Sequence, residues 1–466
     1  NPNSVPQIKE WLFDLCGLVP ILNTDDKPYD PTDPIQDPST GEDAINAILE
    51  RGVDPKLGAG LDALIEYRGV DKIIGTNVCL REVSAEMAKK LLEAGERVHL
   101  DCGTWLHERG KIAENIEWED GGIWGVTGLQ PVLYTRWSLH PVVSGRWSAQ
   151  PAVMNWSERV VILCPTCFGA AKGKPCGCKT KGFCGCPRCH DPAEGVCKGK
   201  ATLNTRSMIE APPGHVFIGA DMEQVELRMY AVDAGDRLLL DAFAKDMDAH
   251  AWNFAAMIAD GNPHEQKVAY DKMMVLGKKH PRVKEARNTA KRFVYLILYG
   301  GEEEKLFQTM SSERLPDGTK AFPGIRPDEV SRWVRNWHGS HPETREWQAG
   351  AVRQWQHHGF VSTRIHGRKR FFLGGVDRNA MGNHRIQGSA ADMMNNSAKE
   401  LWHRLPPRRH SRISGLRLQV HDYLGGIWPE KDVDGVRKHF EQVMPCVLDG
   451  MKFPIEVKVS QSWGGQ

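Results

Sequence analysis

Two aspartates in this 466-residue chain stand where a metal-dependent phosphoryl transfer site would need them. Asp221 ends an apolar run that begins at Val216, and Asp422 follows a second apolar run, 416–420, with His421 between them. A carboxylate at the tip of a buried strand costs free energy unless a cation or a hydrogen bond receives it. Carboxylate oxygens suit Mg²⁺. Brought together, the two residues would form a site for the pair of metal ions that phosphoryl transfer uses.

A second group of residues has the spacing of a polyphosphate-binding helix. Arg287, Lys291, Tyr295 and Tyr299 recur every four residues, so their side chains fall on one helical face. Two cations one turn apart can bind a polyphosphate, and two aromatic rings further along can stack on a sugar or base. Gly300 then ends the helix. An ordinary amphipathic helix with exposed cations remains the alternative.

A cysteine-dense segment predicts a structural metal site. It contains Cys164, Cys167, Cys176, Cys178, Cys184, Cys186, Cys189 and Cys197. The two C-x2-C pairs, 164–167 and 186–189, have the spacing of four-cysteine zinc sites. The remaining four cysteines, with His190 as a substitute, would bind a second Zn²⁺. An iron–sulfur cluster, disulfides or free thiols remain alternatives to zinc. The segment is basic, so it either binds along the phosphates of a DNA duplex or forms a folded surface insertion that does not contact DNA.

The elements that must position these residues are predicted from periodicity and turn residues. We predict a strand at 215–221 and a hairpin at 414–428. Helices are predicted over 1–22, 42–68, 84–96, 223–260, 283–299, 327–358 and 386–405, with a polar patch at 261–282 separating two of them. The chain length predicts two to four subdomains.

Bulk composition excludes some classes of protein and leaves others open. The formal net charge is +1, so a nucleic-acid surface must be local, at 284–292, 364–370 or 403–412, although each run also fits a solvated face. No apolar run is long enough to span a bilayer, so we expect no membrane partner. Without a secretory signal, twelve cysteines indicate reduced thiols or metal ligands. We expect a cytoplasmic protein of a bacterial or phage-infected cell, with an organelle left open, and a fragment or processed product because the chain begins at Asn1.

Several motifs together resemble family A DNA polymerases. Asp221-Met-Glu-Gln-Val-Glu-Leu-Arg228 resembles motif A of that family, Arg287-x3-Lys291-x7-Tyr299-Gly300 resembles motif B, and Gln419-Val-His-Asp422 resembles motif C. Shorter elements follow in the family's order: Ser144-Gly-Arg-Trp-Ser148, Gly367-Arg-Lys-Arg370 and Gln387-Gly-Ser-Ala-Ala-Asp392. The shared order makes coincidence a poor explanation.

The resemblance implies an α+β right-hand fold with an antiparallel palm sheet. The implied domains are a thumb at 1–135, a first palm part at 136–245 containing the cysteine-rich insert at 164–200, fingers at 246–358 and a second palm part at 359–466. The implied activity is template-directed addition of deoxynucleotides to a primer 3′ end by two-metal chemistry, with no exonuclease domain in this chain. Primer-template DNA and deoxynucleoside triphosphates would be the partners of a monomer.

The resemblance also implies residue roles. Asp221 and Asp422 would hold two Mg²⁺, and Lys291 would also protonate the leaving group. The implied nucleotide-binding residues are Arg287, Lys291, Tyr295, Tyr299, His250, Glu226 and Gln224. The implied DNA-binding residues are Arg146, Asn155, Gln387, Asn383, His421 and Arg368. Glu226 would exclude a ribose 2′-hydroxyl as a steric gate, although a salt bridge to a nearby arginine is the structural alternative.

Departures from the family pattern keep other functions open. Tyr423 replaces the usual motif C glutamate, and Met222 and Glu223 replace Tyr and Ser in motif A. Phage-type single-subunit RNA polymerases also have His-Asp without that glutamate, but the context of Glu226 does not fit them. A non-enzymatic, zinc-dependent nucleic-acid binder is a third candidate, which the retained Asp221 and Asp422 disfavour.

Overall fold

The computed structural model describes residues 2–25, 27–33, 35–76, 79–101, 104–109, 116–120, 129–133, 135–138, 146, 148–150, 160–163, 200–278, 280–301, 303–312, 322, 324–405 and 414–465. The eight clustered cysteines and Asn155 lie outside these residues. The chain forms two compact units. The first comprises 1–122 and 127–134, and the second comprises 123–126 and 135–466.

The first unit combines short helices with antiparallel strands. Its elements are α1 (Val5–Lys9), a π-helical segment (Glu10–Leu15), α2 (Glu42–Glu50), α3 (Pro55–Thr76), β1 (Cys79–Val83), α4 (Ala85–Glu93), β2 (Val98–Asp101), β3 (Thr104–Arg109), β4 (Ile116–Asp120) and β5 (Leu129–Leu133). Ile8, Leu12, Ile45 and Leu61 form part of its core. The helix predicted over 42–68 is therefore two helices, since Pro55 begins a new one where proline's missing N–H costs nothing.

The second unit contains the predicted metal-site and helix residues. Its strands are β6 (Arg136–Ser138), β7 (Ser148–Gln150), β8 (Val160–Leu163), β9 (Lys200–Leu203), β10 (His215–Met222), β11 (Phe360–Ser362), β12 (Lys369–Phe371), β13 (Gly415–Val420), β14 (Tyr423–Pro429), β15 (Cys446–Leu448), β16 (Met451–Phe453) and β17 (Ile455–Ser460). Its α-helices are α5 (Val225–Ala234), α6 (Arg237–Ala244), α7 (Ala249–Ile258), α8 (Pro263–Leu276), α9 (Pro281–Leu298), α10 (Glu303–Ser312), α11 (Pro327–Ser340), α12 (Glu343–His358), α13 (Arg378–Asn383), α14 (Ser389–Arg404) and α15 (Val433–Val443). A π-helical segment, His384–Gly388, joins α13 to α14, and 3-10 turns lie at Thr205–Met208, Glu430–Asp432 and Trp463–Gly465.

A four-stranded antiparallel sheet lies at the centre of the second unit. The strand order is β13, β14, β10, β17, so the strand that carries Asp221 pairs on both sides. Phe217 and Ile218 are adjacent and so lie on opposite faces of β10, and both are almost fully buried, which explains why this strand is a nearly continuous apolar run. The predicted strand and hairpin are confirmed by this sheet.

One expectation about local structure is wrong. The polar patch predicted at 261–282 contains α8, a fourteen-residue helix. Asn262 caps it by accepting hydrogen bonds from the amides of His264 and Glu265, and Pro263 opens it. The side chains of Tyr270 and Met273, three residues apart, are buried and form the face of α8 that packs against the rest of the unit. Val268, Val275 and Leu276 of the same helix are exposed, so its apolar residues do not follow one face and the helical period was hidden.

Arg228 belongs to the scaffold of the sheet. Its guanidinium donates to the backbone oxygens of Glu223 and Lys452 and lies 4.2 Å from the ring centroid of Phe243. Burial lowers the pKa of Arg228. The last arginine of the motif A segment therefore ties the end of β10 to β16.

Candidate active site

The two aspartates lie at adjoining ends of neighbouring strands. Asp221 on β10 is paired across the sheet with Tyr423, the residue that follows Asp422. The amide of Met222 donates to the backbone oxygen of Asp422 at 3.1 Å. A pairing between residues 202 positions apart in sequence places the two carboxylate-bearing residues at one end of the sheet. The structure thus brings together the residues predicted to bind metal.

A tight two-residue turn presents Asp422. Val420 pairs with Tyr423, leaving only His421 and Asp422 in the turn between β13 and β14. His421 has a φ of 56°, a conformation that two-residue hairpins require but that a non-glycine side chain adopts at some cost. Gln419 stabilises the turn by donating from its side chain to the His421 oxygen at 2.8 Å.

The chemistry of this carboxylate pair fits a divalent metal ion. Burial raises the pKa of Asp422, and the neighbouring Glu226 carboxylate raises it further. A buried group in that situation gains from a nearby cation, which would favour its ionised form. Among the described residues, no group of three or more His, Cys, Asp or Glu side chains is arranged as a metal site. Mg²⁺ bound at this end of the sheet would be held by Asp221 and Asp422.

Tyr423, which replaces the motif C glutamate, lies along the sheet rather than ending at the metal position. A Cβ atom built at Gly219 or Gly425 would approach its phenol oxygen to 2.1 Å. These two glycines face each other in the β10–β14 ladder. The tyrosine ring therefore fills the space that two cross-strand side chains would otherwise occupy. Its pKa is raised by burial and by Asp221, so the phenol stays neutral.

Glu226 is held in a closed ring of four side chains. Arg146 donates to one of its oxygens at 2.6 Å, and Tyr299 donates to the other at 2.5 Å. Gln387 completes the ring, accepting from Arg146 at 3.2 Å and donating to the Tyr299 oxygen at 3.3 Å. The salt bridge anticipated as a structural alternative for Glu226 exists. It also fixes the carboxylate in one position, as a steric gate would require.

Helix α9 carries three of the four residues predicted to lie on one face, and Tyr299 follows it as the C-cap residue. Lys291 is exposed, while Arg287 is partly buried. The rings of Tyr295 and Tyr299 stack with centroids 6.3 Å apart. Burial, Glu226 and Asp422 all raise the pKa of Tyr295, so its phenol remains protonated and lies within electrostatic reach of both carboxylates. The helix face and the carboxylate site therefore form one region.

Asp248 ties α7 to α9, a role that sequence reasoning missed. Its carboxylate caps α7 through the Ala251 amide and accepts from Nε of Arg287 at 3.1 Å. Nζ of Lys278 lies 3.3 Å from the same carboxylate, and the Asp248 side chain is 3 % exposed. Burial opposes ionisation, but these hydrogen bonds and cations leave the pKa of Asp248 below its ordinary value. An aspartate before a predicted helix could have been recognised as a cap, but not as the partner of Arg287.

His250, the residue assigned only through the family resemblance, lies on α7 beside these groups. It is 7 % exposed, and its Nδ1 atom has no hydrogen-bond partner. Burial, then the charge of Lys291, lower its pKa from 6.5 to about 4. A neutral imidazole with an unpaired nitrogen suits a ligand that brings its own hydrogen-bonding groups.

The pH dependence of stability should report this histidine. Between pH 6.5 and about 4 the unfolded chain protonates His250 while the folded protein does not, so stability falls as the pH drops through that window. By about pH 4, the protonation of His250 in the unfolded chain should have lowered the free energy of unfolding by about 3 kcal/mol. Urea unfolding of the unaltered protein and of His250→Gln should show a flatter pH profile for the variant. His264→Gln, at an exposed position on α8, serves as the control; equal profiles for all three proteins would contradict the expectation.

Other predicted site residues are differently engaged. Arg368 donates through Nε to buried Asp392 at 2.9 Å and through a terminal nitrogen to the Gly388 oxygen at 3.1 Å. These contacts give it a structural role, and its predicted DNA contact stays a prediction. Gln224 adopts a left-handed conformation at the start of α5, and its buried Oε1 has no partner. Asn383 ends α13, immediately before the π-helical segment that carries Gln387.

No helix within the described ranges is long and apolar enough to cross a membrane. This finding agrees with the absence of a long apolar run in the sequence.

Comparison with known proteins identifies the family. The model of DNA polymerase family A matches residues 196–465, more than half of the chain. DNA polymerase I of Chloroflexus aurantiacus is 27% identical over 269 residues, covering 55% of this chain and 25% of the relative. The thermostable DNA polymerase I of Thermus aquaticus is 25% identical over 264 residues, covering 54% and 27%. The aligned part of the chain thus spans about a quarter of these relatives.

A solved structure agrees in fold. It is the polymerase domain of Pol1 from M. smegmatis in complex with DNA primer-template and dNTP, with a TM-score of 0.63 and 17% identity. The match covers all of this chain and 61% of that one. With the family model, the motif order and the paired aspartates, this leaves one conclusion: the chain belongs to DNA polymerase family A.

Proposed function

We propose that this chain is a template-directed DNA polymerase that adds deoxynucleotides to a primer 3′ end. The observation that carries the proposal is the cross-strand placement of Asp221 beside Asp422, with Tyr295 of α9 in electrostatic reach of Asp422 and Glu226. This joins a metal-binding carboxylate pair to a helix that can bind a nucleoside triphosphate. Mg²⁺ bound there would lower the pKa of the primer hydroxyl and neutralise charge on the triphosphate.

The remaining groups would bind and orient the incoming nucleotide. Arg287, Lys291 and His250 lie where phosphates would meet α9 and α7. Lys291, exposed and one turn from Arg287, is also the proposed donor of a proton to the leaving pyrophosphate. Glu226 would contact the sugar, and Gln224 would lie at its edge. Tyr299 would lie near the templating base.

The proposed domains follow the right-hand scheme of the family. The first unit would contain the thumb, and the central sheet of the second unit would be the palm, with α7–α12 as the fingers. Arg146 and Gln387 belong to the hydrogen-bonded ring that fixes Glu226. A contact by either residue with the minor groove would therefore link the shape of the new base pair to the position of the Glu226 carboxylate. Asn383, His421 and Arg368 are the other proposed DNA contacts among the described residues.

The phenol of Tyr295 leads us to expect that the protein readily incorporates dideoxynucleotides, which terminate the chain. A neutral phenol at this position can offer a hydrogen bond where a dideoxynucleotide lacks its 3′-hydroxyl. Tyr295→Phe should therefore shift selection toward deoxynucleotides by about tenfold. The measurement is the ratio of kcat/KM for a dideoxynucleotide and its deoxy counterpart. A strong preference for deoxynucleotides by the unaltered protein, unchanged in Tyr295→Phe, would sink this assignment.

The cysteine-rich insert is proposed to bind zinc. Cys164, Cys167, Cys186 and Cys189 would form one four-thiolate site, and Cys176, Cys178, Cys184 and Cys197 a second. Such a segment is too short to fold by burial alone, so metal would supply its stability. Elemental analysis of protein purified without chelator should find one or two zinc ions per chain. Protein with neither zinc nor iron would remove the proposal.

Template direction is the test of the main proposal. A primer annealed to four templates that differ only in the next base should be extended by one complementary deoxynucleotide each time. The reaction should require Mg²⁺. Extension with the same nucleotide on every template would show that the polymerisation is not template-directed.

A further inference from the structure

Helix α8 brings an additional cation to the region around His250 and Arg287. Gly277, with a φ of 86°, ends the helix, and Lys278 follows it, three positions before α9 begins at Pro281. The positive φ suits glycine, so the turn that directs Lys278 is built into the backbone. The aligned motif residues His250 and Arg287 lie on either side of this helix in the sequence.

Buried contacts fix α8 in place. The Tyr270 hydroxyl accepts from the backbone amide of Asp248 at 3.1 Å, and the Tyr270 ring meets Trp252 edge-on at 5.4 Å. Gln266 donates to the Trp252 oxygen at 3.4 Å. Tyr270 and Met273 also share a core with Ala251 of α7 and Val283 of α9. The helix is therefore anchored to both of the helices that carry the predicted phosphate ligands.

Asp248 organises the cations at this junction. Its carboxylate lies 3.3 Å from Nζ of Lys278 and accepts from Arg287, while Lys291 is one turn further along α9. Lys278 is 62% exposed at its side chain, so its ammonium remains accessible to a ligand. The buried carboxylate thus contacts two cations, Arg287 and Lys278, and the Nδ1 atom of the neighbouring His250 has no hydrogen-bond partner.

We propose that Lys278 is an additional triphosphate-binding residue, held by Asp248 and brought to the site by α8. The inference rests on the proposed function, because it names a contact to the nucleotide that the polymerase would use. An ammonium is suited to contact the terminal phosphates as a point charge. Asp248 is then a positioning residue, since it acts through Lys278 and Arg287.

The test compares Lys278→Ala, Lys278→Arg and Lys272→Ala, the last being an exposed lysine on the same helix. Dissociation constants for a deoxynucleoside triphosphate and for the matching monophosphate are measured with Mg²⁺ on a primer-template whose primer cannot be extended. Lys278→Ala should weaken triphosphate binding about tenfold and leave monophosphate binding unchanged. Lys278→Arg should restore most of the affinity, and Lys272→Ala should match the unaltered protein.

Distinct results separate this inference from the proposed function. Equal weakening for triphosphate and monophosphate would assign Lys278 a purely structural role and overturn the inference. Triphosphate binding by Lys278→Ala equal to that of the unaltered protein would do the same while leaving the polymerase proposal intact. Primer extension by the unaltered protein is measured in parallel; absence of both extension and triphosphate binding would overturn both proposals. Thermal unfolding shows whether each variant is folded. If Lys278→Ala is unfolded, the triphosphate affinity of Lys278→Arg, compared with that of the unaltered protein, decides whether the inference holds.

Discussion

Asp422→Asn is expected to lower the rate of primer extension by at least about a thousandfold, the largest effect of any substitution considered. Asparagine has the same shape and keeps the two-residue turn, but it removes the charge that would hold a metal ion. Burial and the Glu226 carboxylate raise the pKa of Asp422 although His421 and Arg146 oppose this shift, so the ionised carboxylate is disfavoured in the folded protein without a metal ion. Removing it should therefore affect catalysis far more than folding.

Matched variants make that expectation specific. Asp221→Asn should cause a loss of similar size, and the double variant should lose little more, because the two residues act as one metal site. Asp434→Asn, at an exposed position in the first turn of α15, should retain full activity. The account would be contradicted if single-turnover extension by Asp422→Asn remained within tenfold of the unaltered rate while Mg²⁺ dependence was unchanged.

Glu226→Ala is expected to admit ribonucleotides, raising their kcat/KM relative to deoxynucleotides by about a hundredfold. Both carboxylate oxygens are held, one by Arg146 and one by Tyr299, so the group cannot swing away from a 2′-hydroxyl at no cost. Truncation to alanine opens that space. It also leaves Arg146 and Tyr299 without their shared partner, so deoxynucleotide use should fall as well.

Two further variants separate the gate from the salt bridge. Glu226→Gln keeps the volume and should largely preserve rejection of ribonucleotides. Tyr299→Phe removes one hydrogen bond but leaves the carboxylate, so it too should retain sugar selectivity. A ribonucleotide-to-deoxynucleotide ratio that is the same in Glu226→Ala and the unaltered protein would refute the gate and leave Glu226 with a structural role only.

The parts of the site that could be predicted from sequence are those encoded locally. The apolar runs before Asp221 and Asp422 predicted β10 and the β13–β14 hairpin, and the four-residue spacing predicted the shared helical face of Arg287, Lys291 and Tyr295. The strand pairing that brings Asp221 next to Tyr423 is long-range, so no window of sequence contains it. This pairing was expected only because the order of the motifs resembles that of the family.

The parts that could not be predicted depend on contacts between distant residues. Arg146 meets Glu226 across 80 positions, and Asp248 meets Arg287 across 39. Neither arginine carries a local signal for its partner. Helix α8 was missed for a different reason, because its apolar residues are divided between a buried face that includes Tyr270 and exposed positions such as Val275. His250 gave no signal of its own beyond its distance from Asp221.

The most direct test of the central claim is primer extension on a DNA template with deoxynucleotides or ribonucleotides as the sole substrates and Mg²⁺ present. A polymerase with Glu226 as its sugar gate should extend with deoxynucleotides, stall with ribonucleotides, and lose extension in Asp422→Asn. Preferential extension with ribonucleotides would support a phage-type RNA polymerase instead. Binding of the primer-template without extension by either substrate would contradict the enzymatic account and support the nucleic-acid-binding alternative.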